Sequence, residues 1–177
     1  MHIFLQGPKR IGKSTVIRRT LDILMDEAPL ELGGFFTWNG GKDDPHVYMR
    51  PASALSEGEI IRLASFNAIN GGLKADVDAF EVDGVRILRD SKRADMNLII
   101  MDELGFLEKD APLFRQAALD VLDEDIPVLG VLRLGGVEWH EAIKRNPRVT
   151  LYDVDEKNRD NLPRVLAGVL KNGMRKL

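Results

Sequence analysis

The sequence predicts an α/β fold with a mainly parallel sheet, helices on both faces and an antiparallel hairpin at one edge. Three observations predict it. Short continuous apolar runs alternate with segments of helical period along most of the chain. The first run, His2–Leu5, passes through a glycine-bounded loop straight into a helical pattern. The stretch around Asn39-Gly40-Gly41 carries a strong turn signal between two strand-like runs.

Taken in order, His2–Leu5 reads as a buried strand, and the helix after the loop has Ile17, Leu21 and Leu24 on one face. Residues 28–34 form a breaker-rich connection. Phe35–Trp38 is the next strand, His46–Arg50 its returning arm, and Ile60–Ala64 another short strand. Gly71-Gly72-Leu73 reads as the start of an irregular stretch, and a helix is expected within 78–93. Asn97–Met101 is a continuous apolar strand ending at Asp102-Glu103, followed by a helix over about 112–122. Pro127–Leu132 is a buried strand, Glu138–Lys144 a short helix, and Val149–Val154 an alternating strand. A terminal helix is expected from about Arg159 to Leu170, with Lys171, Asn172 and Gly173 as stop signals. The basic cluster Lys171, Arg175 and Lys176 reads as a solvated tail.

The chain has 177 residues, which suits one domain over residues 1–177 with a sizeable core. Hydrophobic residues make up 44% and charged residues 30%, the balance of a soluble globular protein. A net charge of −3 gives no sign of a polyanion-binding protein at whole-chain level, so nucleic acid is not indicated as a partner. Cysteine is absent, which excludes disulfides, zinc–cysteine sites and thiol nucleophiles. No run approaches a membrane span and no leader pattern opens the chain, so the expected location is cytoplasmic.

The loop carries the chemistry. Gly7-Pro8-Lys9-Arg10-Ile11-Gly12-Lys13-Ser14-Thr15 matches G-x-x-x-x-G-K-[ST], with a strand before it and a helix after it. Such a loop wraps backbone N–H groups around phosphate oxygens, and the helix N-terminus adds partial positive charge. Lys13 is then placed to reach the β- and γ-phosphates, and the Ser14 hydroxyl to complete Mg²⁺ coordination. A second element answers it. Leu98–Met101 ends in Asp102-Glu103, at the sheet edge where ligands collect in α/β folds. Asp102 is placed to hold Mg²⁺, and Glu103 to polarise a water for attack on the γ-phosphate. An acid for water activation favours hydrolysis over transfer to a bound acceptor.

These motifs fall in a recognisable order: Gly7–Thr15, Gly33–Thr37, Val77–Glu81, Ile100–Glu108 and Asn158–Pro163. The chain resembles the small nucleoside-triphosphatases first known from thermophiles, also called the cancer-related nucleoside-triphosphatase family. The acidic pair followed by glycine and glutamate, Asp102, Glu103, Gly105 and Glu108, is the most specific part. The resemblance implies a RecA-like, additional-strand phosphate-loop fold. It also implies slow Mg²⁺-dependent hydrolysis of ATP, GTP and other nucleoside triphosphates. By position, Lys13 and Ser14 correspond to phosphate and metal ligands, and Asp102 and Glu103 to the groups that organise metal and water. Lys9 and Arg10 depart from the family's more permissive loop, and Arg10 stands where a further glycine is usual.

The remaining candidates carry open alternatives. Arg10 reads either as an arginine finger in cis or as a solvent-facing crest residue. Arg133, after the Val128–Leu132 run, reads either as a γ-phosphate sensor or as a surface arginine. Asn158 and Arg159 sit where a base often lies in this superfamily, with Asn158 as a helix N-cap the rival. Thr37 ends a strand near the ligand edge and is a candidate contact for metal-bound water. Trp38 and Trp139 are base-stacking or packing residues. A small-molecule kinase and a nucleic-acid-linked regulatory module stay open as alternatives to hydrolysis. Sheet order separates the first: kinase-type folds set the Lys13 and Asp102 strands side by side, and the additional-strand class inserts one between them. Oligomeric state is open, with a monomer admissible.

Overall fold

Apolar runs too continuous to face water on either side must lie at the centre of a covered sheet. That is where they lie in the computed structural model, which describes residues 1–53, 58–67, 71–135 and 137–174. Arg175 and Lys176 of the basic tail fall outside the described residues. Strands β1 (His2–Gln6), β2 (Leu32–Asn39), β3 (His46–Pro51), β4 (Ile61–Asn67), β5 (Gly72–Ala75), β6 (Leu98–Leu104), β7 (Val128–Leu132) and β8 (Val149–Asp153) form one sheet. Its order is β5-β4-β3-β2-β6-β7-β1-β8. Pairing is parallel from β2 through β6, β7 and β1 to β8, and antiparallel from β2 out through β3 and β4 to β5.

Alternate residues of the central strands feed two cores. Ile3 and Leu5 of β1, Leu98 and Ile100 of β6, and Leu129 and Val131 of β7 face helix α1 (Lys13–Met25) and helix α5 (Leu162–Gly173). Val16, Ile17, Leu21 and Leu24 answer from α1, and Leu162, Leu166 and Leu170 from α5. On the opposite face Phe4, Ile99, Met101, Val128 and Leu132 pack with helix α2 (Val85–Asp90) and helix α3 (Pro112–Val121). Phe114 lies between Phe35 and Phe80, its ring centroid 5.8 Å and 5.2 Å from theirs. Fully burying one such side chain is worth about 1.5–3 kcal/mol. The short helix α4 (His140–Arg145) precedes β8.

Several boundaries differ from expectation. The hairpin is a larger unit, a run of three antiparallel strands added to β2, because residues 72–75 extend it. Two glycines at its start hide the strand signal of β5, and β4 supplies the hydrogen-bonding partner that the local sequence does not announce. The 78–93 helix opens as a π-helical turn, Ala79–Gly84, before α2. The terminal helix starts at Leu162 rather than near 159, because Asp155 and Asn158 build a turn of their own. Among the described residues no helix is long and apolar enough to cross a membrane.

Gly130, at the middle of β7, is a space requirement: a Cβ there would overlap Cε1 of Phe4. Gly130→Ala is therefore expected to cost about 1–3 kcal/mol by overpacking. The denaturation midpoint measures it, and a Gly130→Ala, Phe4→Leu double variant is expected to lose less than the two single losses summed. An unchanged midpoint in Gly130→Ala would contradict this packing.

His2 and His140 are buried, and burial pushes each imidazole down to about 4 from an ordinary value of 6.5. The depressed folded value sets the sign. Stability from the neutral rings is fully present above pH 6.5 and is lost as pH falls from 6.5 toward about 4, where only the unfolded chain takes the protons. Thermal midpoints across this window should fall less steeply in His140→Leu than in wild type; parallel curves would refute the assignment.

Candidate functional site

The parallel strands point their carboxyl ends to one edge, so the residues after them collect there. β1 delivers the loop Gly7–Gly12. Gly7 is at φ +149°, where a Cβ would press on the carbonyl oxygen of Val154, and Gly12 at φ +110° turns the chain into α1. Val16 N–H donates to the Gly12 carbonyl at 2.9 Å, the first closed turn of the helix. Pro8, Lys9 and Arg10 are exposed at the crest, Ile11 is half-buried, and Thr15 is exposed on the first turn. Arg10 holds φ +64°, the left-handed region that its position in the loop demands. The loop adopts its shape there without the usual glycine, at a local cost of about 1–2 kcal/mol.

Lys13 is buried beneath the loop, with Nζ donating to the carbonyls of Gly7 at 2.9 Å and Pro8 at 3.0 Å. Burial lowers its pKa, while Glu103 and Asp102 pull it back up. Its ammonium therefore sits between the phosphate loop and two acids. Ser14 Oγ donates to Asp102 Oδ1 at 3.1 Å. Asp102 is 4% exposed, and burial raises its carboxyl to about 7 against the opposing pull of the Ser14 bond. A hydroxyl and a carboxylate in contact, both hard oxygen donors, form the kind of small protein contribution that Mg²⁺ accepts beside phosphate oxygens. Among the described residues no group of three or more His, Cys, Asp or Glu forms a fuller cage. The donor set thus fits Mg²⁺ held jointly with a substrate.

Glu103 is held from the backbone and left open at the carboxylate. Its N–H donates to Thr37 Oγ1 at 3.1 Å, tying the end of β6 to β2. Arg133 Nη1 lies 3.7 Å from Glu103 Oε1, and its guanidinium sits 4.5 Å from the Phe106 ring centre. Both side chains are a little over a third exposed, so this pair orients rather than stabilises. Below them Glu108 is buried, its Oε2 accepting from Gly105 N–H at 3.0 Å. Burial raises the Glu108 carboxyl to about 7. Trp139 Nε1 donates to the Gly105 carbonyl at 3.4 Å.

The edge therefore gathers Lys13, Ser14, Asp102, Glu103 and Arg133. Thr37, weighed from sequence as a contact to metal-bound water, is a backbone anchor for Glu103. Asn158 is tied to its own turn: its Nδ2 donates to the Asp153 carbonyl at 2.7 Å and its Oδ1 accepts from Asp155 N–H at 3.0 Å. It does not cap α5, which follows Asn161. Arg159 reaches the loop, with Nη1 3.4 Å from the Ile11 carbonyl. Sequence reading noted Glu108 in its motif without a role. The signal was its spacing from Gly105, which lets a carboxylate close back on the backbone of its own turn.

A cleft of about 820 Å³ opens beside Ser14, Asp102, Glu103 and Arg133 and runs between α1 and the antiparallel strands. Ser14, Asp102, Glu103 and Arg133 at the strand ends thus line this cleft together with Arg18 of α1 and Trp38 of β2.

Comparison with known proteins bears on the family and the fold. A family model described as NTPase matches residues 2–167. Nucleoside-triphosphatase THEP1 of Thermotoga petrophila is 28% identical over 173 residues, covering 97% of this chain and 93% of that protein. The THEP1 of Methanosarcina barkeri is 30% identical over 171 residues, with 94% and 95% covered. Among solved structures, THEP1 from Aquifex aeolicus superposes with a TM-score of 0.77 at 22% identity, covering 97% of this chain and 99% of that one. A human cancer-related nucleoside triphosphatase gives 0.77 at 23% identity, with 99% of each covered. These two likenesses speak for the fold alone, the mainly parallel α/β sheet flanked by helices. The match to the family model extends from the first strand into the terminal helix, and on that ground the protein belongs to the small phosphate-loop nucleoside-triphosphatase family.

Proposed function

We propose that this protein, as one nucleotide-binding domain in the cytoplasm, hydrolyses nucleoside 5′-triphosphates, ATP and GTP among them, to the diphosphate and phosphate. The observation that carries the reading is the Ser14–Asp102 contact at 3.1 Å with Glu103 next in the chain, anchored by Thr37 and open to the cleft. Mg²⁺ bound by Ser14 and Asp102 would neutralise phosphate charge and draw the Asp102 carboxyl back to its ionised form. Lys13 and the loop amides of Gly7–Thr15 hold the β- and γ-phosphates. Glu103 takes a proton from water as the water oxygen bonds to the γ-phosphorus. The bond from that phosphorus to the β,γ-bridging oxygen breaks, and the diphosphate leaves with the electron pair. Arg133, fixed against Phe106, offsets the charge that spreads over the γ-oxygens. Arg159 lies over the loop near the Ile11 carbonyl, where it is suited to meet the base or ribose, and Arg10 presents a second cation at the loop crest.

The strand order argues against the small-molecule kinase. β7 stands between β1, which leads into Lys13, and β6, which carries Asp102 near its carboxyl end, as in additional-strand hydrolases.

Phosphate release from ATP and GTP tests the proposal. Wild type is expected to be active with Mg²⁺ and silent after chelation, with activity restored on adding the metal back. Glu103→Gln should lower kcat by about 10²–10⁴ while still binding nucleotide, and Lys13→Ala should weaken both. Folded wild type that releases no phosphate with Mg²⁺ would sink the reading.

Thr37 is a positioning residue in this scheme. Thr37→Val, which keeps shape and removes the acceptor, is expected to lower kcat about tenfold or more with little change in KM. Thr37→Ser should recover most of the loss. Equal activity in Val and Ser variants would remove the role.

A further inference from the structure

We propose that Glu108 is a positioning residue for the hydrolysis proposed above, a reading on which this one rests, and that it acts by fixing the stretch 104–106 that cradles Arg133. Strand pairing sets up the cradle. The ladder between β6 and β7 shifts register between Met101 and Leu104 and resumes with Leu104 opposite Leu132. Arg133, next in the chain, therefore meets three consecutive residues. Its N–H donates to the Leu104 carbonyl at 2.9 Å. Its stem lies over Gly105, where an added Cβ would stand 3.3 Å from Arg133 Cδ and 3.7 Å from Arg133 Cβ. Its guanidinium lies 4.5 Å from the Phe106 ring centre, which leaves Nη1 3.7 Å from Glu103 Oε1. Backbone, stem and head of the arginine are each supported by a different residue of one short stretch.

The cradle is itself held at its middle. Gly105 is buried, so its N–H and carbonyl need partners within the protein. Glu108 Oε2 accepts the N–H at 3.0 Å, and Trp139 Nε1 donates to the carbonyl at 3.4 Å. The Gly105 N–H and the Leu104 carbonyl belong to one planar peptide unit. Glu108 grips one side of that plane, and Arg133 N–H hangs from the other. Turning the plane would break both bonds together and swing the arginine away from its stem contact and its ring. Glu108 is 4% exposed, a costly place for a carboxyl, and a turn that needed only filling would be served by an apolar side chain. Arg133 lowers and Glu103 raises the pKa of Glu108, which marks how close the three groups lie. Glu108 thus acts on the reaction through the arginine, at the moment when charge spreads over the γ-oxygens.

A double-mutant cycle on the full chain, read as phosphate release from ATP with Mg²⁺, tests the assignment. Glu108→Gln keeps an acceptor in the same space and should hold kcat within about threefold of wild type. Glu108→Leu removes the acceptor and should lower kcat about tenfold or more with KM nearly unchanged. Arg133→Ala should cost about 10²-fold, and Glu108→Leu added to it should cost less than about threefold more. Gly105→Ala presses on the Arg133 stem from the other side, and keeps the test open should Glu108→Leu fail to fold. It should lower kcat severalfold in wild type and leave Arg133→Ala unchanged. Without nucleotide, the Gly105 amide and Arg133 Nε–H resonances should shift together in Glu108→Leu and hold in Glu108→Gln. Losses that multiply with Arg133→Ala, Glu108→Gln as impaired as Glu108→Leu, or an unmoved Arg133 Nε–H signal would each overturn the role while leaving hydrolysis standing. Wild type that releases no phosphate would instead remove the hydrolysis reading, and this one with it.

Discussion

The hydrogen bond from the Ser14 hydroxyl to Asp102 joins two residues 88 positions apart, and the rest of the site is arranged around it. Ser14 lies in the first turn of α1 directly after the phosphate loop, and Asp102 lies near the carboxyl end of a strand two places away in the sheet, with β7 between. For the pair to meet, three parallel strands must finish at one level. That demands both cores, because a shift of one residue in any of these strands would exchange the residues facing α1 and α5 with those facing α2 and α3. Packing far from the edge therefore sets the geometry at it. The contact also concentrates electrostatic tension. A buried carboxyl with its pKa raised to about 7 beside a buried lysine is a poor structural pair, the kind of perturbed group that marks a candidate site.

Support around the acids is mainly backbone work. Thr37 grips the Glu103 N–H from β2, and Glu108 grips the Gly105 N–H from the turn below. Between them a short length of chain is fixed at both sides, while the Glu103 carboxylate itself stays accessible. Phe106 adds a flat surface under Arg133, so a long flexible cation has a preferred position beside the acid. Such restraint lowers the reorganisation needed when charge develops on a bound phosphate. The buried Glu108 is costly as a charge and useful as an acceptor, which explains its high pKa in a position remote from the reacting atoms.

The antiparallel extension gives the protein a second surface beside this edge. One face of its strands completes the core through Phe35, Met49 and Leu63, and the other stays open with aromatics and arginines. A sheet exposed on one face normally alternates apolar and polar residues. Here two outward residues, Trp38 and Tyr48, are large rings stacked on each other, which solvation alone does not call for. Ser14 and Arg18 of α1 line one cleft with Trp38, Arg50, Asp102 and Glu103, so the strand ends and this face are continuous.

Local sequence determined the phosphate loop, the acidic strand end and the α/β class, because each is encoded within a few neighbouring residues. Gly7, Gly12, Lys13 and Ser14 announce backbone turns and charge, and continuous apolar runs announce buried strands. Family resemblance, carried by Asp102, Glu103, Gly105 and Glu108, was legible for the same reason. What pairs across the chain was not. The strand status of 72–75 depends on β4, the anchoring of Glu103 depends on Thr37 from 66 residues away, and the orientation of Asn158 depends on its bonds to Asp153 and Asp155. Placement of β7 between β1 and β6 was expected from the resemblance and not from local sequence, since a strand's hydrogen-bonding groups are the same whichever neighbour takes them. The residues of the chemistry were written locally; their distances were set by the sheet.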